Sequence, residues 1–243
     1  MVGIETFREH FMDFRECYIV IGGVACENHF EGEGIAFRST KDIDLVLVVE
    51  ALSNEFISHF WDFIGKGNYE KKQIGEGERQ HYRFINPEIE NYPMQIELFS
   101  RTPDVISRRE DMILTPIPAD EELSSLSAIL MDDEYYHFTI NNSKKGKTIH
   151  RADDLALICL EARAFLDLTE KKANGQTVDS KNIKKHKNDI FRLAATLRTS
   201  DRIELPSGIK KDLIKFVEVM KEAKPDVKSI MKAMGVTAVT QMI

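Results

Sequence analysis

Asp42-Ile43-Asp44 sets two carboxylates one residue apart at the head of an aliphatic run, Leu45 to Val49. In an extended chain, side chains at i and i+2 share a face, so Asp42 and Asp44 converge while Ile43 turns into the core. Two adjacent carboxylates resist joint ionisation unless a cation neutralises them. Oxygen donors of this hardness suit Mg²⁺ or Mn²⁺, ions that usually keep coordination positions for water and substrate phosphates. The pair alone is equally compatible with a turn cap at Asp42 and a solvated edge residue at Asp44.

Two neighbours in the sequence extend the pattern. Tyr18 to Ile21 reads as a short apolar strand, Gly22-Gly23 as a turn, and the residues to about Phe30 as a helix. Glycines there allow close approach of the backbone to a ligand, and the N–H groups that open a helix favour an anion; a plain tight turn has the same signature. Downstream, Gln80 to Ile85 alternates as a strand, Asn86 to Pro93 carries turn residues, and Met94 to Phe99 forms another strand. Glu97 stands between Ile96 and Leu98, and an acid in a buried strand needs a partner or a metal; on an edge strand it would face solvent.

Positioning these residues calls for a sheet. Up to about residue 140 short apolar runs alternate with turn signals, as in a mixed sheet flanked by helices. Beyond it the periodicity is helical. Ala152 to Leu168 is apolar at helical spacing behind Asp153 and Asp154, and Asn174-Gly175 marks a loop. Ser180 is expected to cap a helix carrying Lys187 and Asp189, Pro206 to open a further helix, and Lys224-Pro225 to precede the last. The expected organisation is therefore α+β, with residues 1–140 as a catalytic domain and 141–243 as a helical domain completing the cleft. On the second of the later helices Ile183, Ile190, Phe191, Ala194 and Leu197 make the expected core stripe. Lys187 falls near that stripe, and Asp189 lies about two hundred degrees round the helix from it.

Charge divides along the same line. Residues 1–140 hold 12 Lys+Arg against 27 Asp+Glu, and residues 141–243 hold 21 against 13, giving the overall −7. An acidic metal-binding half facing a basic half would draw in a polyphosphate or nucleic acid, although lysine-rich helical faces are commonly just solvated. At 243 residues and 42% hydrophobic the chain can bury a full core. No apolar stretch approaches membrane-span length, and Met1 to His10 is too polar for a secretory signal, so a soluble cytoplasmic protein without membrane contact is expected. Cys17, Cys26 and Cys159 lack metal-site spacing and read as buried reduced thiols.

Gly22-Gly23, Asp42-Ile43-Asp44 and Glu97, in this order, resemble the nucleotidyltransferase superfamily with the DNA polymerase β-like fold. More narrowly, Arg38-Ser39-Thr40-Lys41-Asp42-Ile43-Asp44-Leu45 is similar to the Arg-x-[Ser/Thr]-x-Asp-Ile-Asp segment of AbiEii-type nucleotidyltransferases, the catalytic components of some toxin–antitoxin and phage-defence systems. Lys187 and Asp189 match that family's Lys-x-Asp element on a C-terminal helix. Two features depart from the pattern. Eighteen residues separate Gly23 from Asp42, including Glu31-Gly32-Glu33-Gly34, which implies an extra flexible loop near the site, and Glu97 stands where the family commonly has Asp.

The resemblance implies transfer of an NMP from an NTP to a hydroxyl. Asp42, Asp44 and Glu97 would hold Mg²⁺ or Mn²⁺ in a two-metal arrangement. Gly22 and Gly23 would cradle the triphosphate, with Lys187 and Arg38 neutralising developing charge. Thr40 and Ser39 would bond a phosphate or shape the turn, Ser39 by preference the latter, and Asp189 would fix the helix or a neighbouring base. The acceptor left open by the resemblance is a tRNA end, a protein side chain or a small molecule, and an antitoxin protein enters as a partner. Three alternatives stand beside this. A metal-dependent phosphodiesterase would want histidines near the acids, which His29, His59 and His81 do not supply at ligand spacing. An inactive nucleotide-binding module would be marked by a lost acid, and all three are present. A helical nucleic-acid-binding protein is disfavoured by the acidic balance.

Overall fold

The computed structural model describes residues 3–38, 40–72, 81–101, 106, 129–130, 132–198, 203–223 and 225–232. In chain order its elements are α1 (Ile4–His10), β1 (Tyr18–Ile21), α2 (Gly22–Gly32), β2 (Asp42–Leu47), α3 (Asn54–Lys66), β3 (Glu70–Lys72), β4 (His81–Ile85), β5 (Gln95–Phe99), α4 (Asp133–Asn141), β6 (Ser143–Lys145), β7 (His150–Ala152), α5 (Asp154–Ala173), α6 (Ser180–Ala194), α7 (Ser207–Ala223) and α8 (Val227–Lys232). The expected residues Ser39, Gln80 and Lys224 lie outside the described residues.

Seven strands form one mixed sheet in the order β3-β4-β5-β2-β1-β7-β6, so the architecture is α+β. β1 and β2 are antiparallel, β2 and β5 parallel, and β4 antiparallel to β5. β7 runs parallel to β1 and pairs back on β6. The sheet thus takes strands from both sides of the change in texture near residue 140, where the sequence reading placed only helices. β6 and β7 are three residues each, and Lys144 and Lys145 give β6 no apolar alternation to read.

Alternation assigns the two faces of the sheet. Tyr18 packs edge-on against Phe7 and Phe11, and Phe84 against Phe60 and Trp61, so α1 and α3 cover one face with a cluster of rings that includes Phe63. Ile21, Asp44 and Glu97 therefore point to the other face, towards α5 and α6. Val49 leaves the strand for a 3-10 turn over Val49–Ala51, so the aliphatic run is strand only to Leu47.

The helices start at their acids. Asp132 caps α4 and Asp153 caps α5. Asp179 accepts from Lys181 N and caps α6, so Ser180, expected as the cap, is its first residue. A carboxylate one position earlier competes successfully for the same N–H groups. α2 runs on to Gly32, and the expected flexible loop is a tight return. The N–H groups of Glu33 and Ile35 both bond Phe30 O, Gly34 adopts φ +70, and Phe37 stacks on Phe30 at 5.0 Å. Cys17, Cys26 and Cys159 are buried and free, as expected. Among the described residues no helix is long and apolar enough to cross a membrane.

Four histidines are fixed within this scaffold. His10 stacks on His59 at 3.9 Å, and the two rings each bond the other's backbone carbonyl, at 3.1 and 2.7 Å. His29 bonds Thr196 Oγ1, and His150 lies between Arg15 O and Ser143 Oγ. Burial is the leading cause that lowers the pKa of His10, His29 and His150 below 6.5. With the folded-state values depressed, the unfolded chain takes up protons first, and stability is lost as pH falls below 6.5. The urea midpoint is expected to fall between about pH 7.5 and about pH 5.5, and to fall less in His150→Gln, which cannot titrate there.

Candidate functional site

β2 and β5 pair with Asp44 opposite Glu97 and Asp42 opposite Gln95, and β4 sets Arg83 opposite Glu97. Ile21, Asp44, Glu97 and Arg83 therefore form one row across four neighbouring strands. All four line a cavity of about 290 Å³ with Gly22, Gly23, Asp42 and Gln95. α5 contributes Leu157, Leu160, Glu161 and Ala164 to the facing wall, and α6 contributes Lys185 and His186. This volume lies at the low end of the roughly 300–1,000 Å³ typical of ligand sites, which suits a polyphosphate better than a whole nucleotide with its acceptor.

The sequence-predicted glycines are required by what lies over them. Gly22 has φ +61, and a Cβ added there would overlap Asp44 Oδ2. A Cβ on Gly23 would lie 2.7 Å from Thr40 Oγ1. Only glycine admits this left-handed turn and this approach together. Asp44 therefore sits directly on the turn that opens α2, and Thr40 packs beside it.

Glu97 is 5% exposed and does face the aspartates. Its Oε1 accepts Arg83 Nη2 at 2.6 Å, Arg83 Nε at 2.7 Å and Gln95 Nε2 at 2.8 Å. Among the described residues no three His, Cys, Asp or Glu side chains are gathered closely enough to hold a metal ion.

Arg38 and Asp189, 151 residues apart, form an ion pair that is wholly buried at Asp189 and leaves 30% of the Arg38 side chain exposed. Asp189 is wholly buried and accepts Arg38 Nη2 at 2.8 Å, with Arg192 Nη1 on its other oxygen at 2.8 Å. Burial, with Glu161 adding to it, raises the Asp189 carboxyl above its usual value, against the pull of Arg38 and Arg192. Burial also opposes the charge on Arg38, but Asp189 outweighs it and holds the guanidinium's pKa up. Phe37 lies between the two guanidiniums, 5.3 Å from Arg38 Cζ and 5.6 Å from Arg192 Cζ.

Lys187, expected in the site, is half-buried and does not line the cavity. The buried face of α6 is His186, Asp189, Ile190 and Leu193, one residue round from the expected stripe. Asp189, expected to fix the helix or a neighbouring base, is held by Arg38 and Arg192, and His186, which the sequence reading did not single out, is held by Glu161. His186 Nδ1 lies 2.5 Å from Glu161 Oε2 on α5. Burial works to raise the Glu161 carboxyl, but His186, Lys185 and Arg38 outweigh it and hold it below its usual value. Arg83, Gln95, Glu161, Lys185 and His186 are the polar residues of the cavity that the sequence reading missed. Arg83 alternates with Tyr82 and Phe84 in β4, which was the available signal.

Compared with protein-family models and with curated protein sequences, the chain matches none.

Two substitutions test this geometry. Asp189→Ala leaves Arg38 and Arg192 without their buried counter-charge and is expected to cost about 3–5 kcal/mol in chemical denaturation. Gly22→Ala is expected to displace the Asp44 carboxylate and to destabilise the fold by more than about 1 kcal/mol, read from the shift in denaturation midpoint.

Proposed function

We propose that the protein is a metal-dependent nucleotidyltransferase that moves an NMP from an NTP to an acceptor hydroxyl. The observation that carries this reading is the row across β2, β5 and β4, with Asp42 and Asp44 on one face beside the Gly22-Gly23 turn. The resemblance of Arg38 to Leu45 to AbiEii-type nucleotidyltransferases supports it.

The donor set fits Mg²⁺ or Mn²⁺. Mg²⁺ is usually held by one or two carboxylates together with substrate phosphates, and Asp42 and Asp44 would supply those carboxylates. Such an ion, when bound, lowers the pKa of an attacking hydroxyl and offsets charge on the phosphates. The chain's own residues do the rest. Gly22 and Gly23 let a triphosphate approach the backbone N–H groups that open α2. Lys185, on the facing wall, meets the negative charge that develops on the leaving pyrophosphate. Leu157, Leu160 and Ala164 keep that wall dry, which strengthens each charge interaction inside. Asp189 acts at a distance, through Arg38, by holding the segment that leads into Asp42.

The acceptor under this reading is an RNA such as tRNA, a protein or a small molecule, and an antitoxin protein is a proposed partner. The engagement of Glu97 by Arg83 favours one second reading, a nucleotide-binding module that keeps the fold without turnover. Incubating the protein with each labelled NTP, Mg²⁺ or Mn²⁺, and total tRNA or cell lysate separates the two. Metal-dependent label transfer is expected, with Asp44→Asn losing at least about a hundredfold in rate while remaining folded. Nucleotide binding without transfer to any acceptor would select the binding module.

A further inference from the structure

Glu97 occupies the place of a third metal-binding acid, yet its Oε1 and its charge are already engaged. Three N–H groups converge on its Oε1, two from Arg83 and one from Gln95. That oxygen is fully engaged, and the single negative charge of Glu97 is already matched by the guanidinium. The pair is also buried, with 12% of the Arg83 side chain and 7% of the Glu97 side chain exposed. Moving Glu97 onto a metal would strip a buried guanidinium of its counter-charge, which is strongly unfavourable. Asp44, Glu97 and Arg83 follow one another along the row, about 4.8 Å from strand to strand, so the guanidinium belongs to the same small cavity as the aspartates.

We infer that Glu97 is a positioning residue that aims Arg83 into the cleft, and that Arg83, in place of a second metal ion, binds a phosphate of the nucleotide. Asp42 and Asp44 then hold a single divalent ion. The guanidinium suits this use because its planar fork matches phosphate oxygens and its charge is permanent. A carboxylate gripping Arg83 at Nε and Nη2 fixes the plane of that fork. The inference rests on the nucleotide-transfer reading.

The test is Mn²⁺ binding followed by electron paramagnetic resonance and calorimetry, beside the affinity for a non-hydrolysable NTP in Mg²⁺. Wild-type protein is expected to bind one Mn²⁺ per chain, and Asp44→Asn to weaken it about tenfold or more. Glu97→Gln is expected to keep Mn²⁺ affinity within about threefold, whereas Arg83→Gln leaves Mn²⁺ binding intact and weakens the nucleotide about tenfold or more. The double variant Arg83→Met/Glu97→Leu removes both buried charges together, guards against misfolding of a single variant, and is expected to match Arg83→Gln. If Glu97→Gln loses Mn²⁺ as Asp44→Asn does, Glu97 is a metal ligand and the inference is overturned while nucleotide transfer stands. Unchanged nucleotide affinity in Arg83→Gln and in the double variant would make the pair merely structural, which also overturns it. A wild-type protein that binds neither Mn²⁺ nor nucleotide would remove the transfer reading itself.

Discussion

The buried pair between Arg38 and Asp189 is the joint on which the site depends. Arg38 belongs to the segment that enters β2, and Asp189 to the helix that closes the cavity from the opposite side. A carboxylate taken wholly out of water is tolerated only when cations satisfy it, and here Arg192 joins Arg38 on Asp189, with the ring of Phe37 near both guanidiniums. The aspartates on β2 and the wall of α5 and α6 thereby acquire a fixed relation that apolar packing alone would specify less sharply. Thr40 and Gly23, in contact with each other next to Arg38, carry that register to the turn beneath Asp44.

A second principle repeats through the cavity and the wall behind it, where each buried acid is matched to a basic side chain. Glu97 is held by Arg83, Glu161 by His186, and Asp189 by two arginines. Asp42 and Asp44 stand on the open side of β2, partly exposed, next to glycines that keep side chains away. The proposed reading of Asp42 and Asp44 as the chemical centre rests on a different observation, their shared face beside the Gly22-Gly23 turn in the same cavity.

Much of this was legible in the sequence. The aliphatic run after Asp42-Ile43-Asp44 identified β2, alternation placed both acids on one face, and Met94 to Phe99 gave β5 with Glu97 turned the right way. What escaped has a common cause. Sequence patterns treat charged residues as surface, so the buried His186 and Asp189 shifted the apparent face of α6 by one position and brought Lys187 forward in place of Lys185. Arg83 was hidden for the same reason: its partner lies on a neighbouring strand and no local rule pairs them. The short strands β6, with two lysines, and β7, with none, owe their strand state to the edge they join, a tertiary effect invisible to periodicity.

The separation of 151 residues between Arg38 and Asp189 has a consequence for the newborn chain. At about 5–20 residues per second, a ribosome takes roughly 8 to 30 s to pass from the first partner to the second. During that interval β2 and its aspartates can have left the exit tunnel while the facing wall of α6 has yet to be made. The cavity cannot acquire its facing wall until Asp189 and the rest of α6 have been synthesised. A chain still growing towards α6 therefore carries the β2 aspartates and the Gly22-Gly23 turn as an open shelf, and enclosure comes only when the second partner arrives.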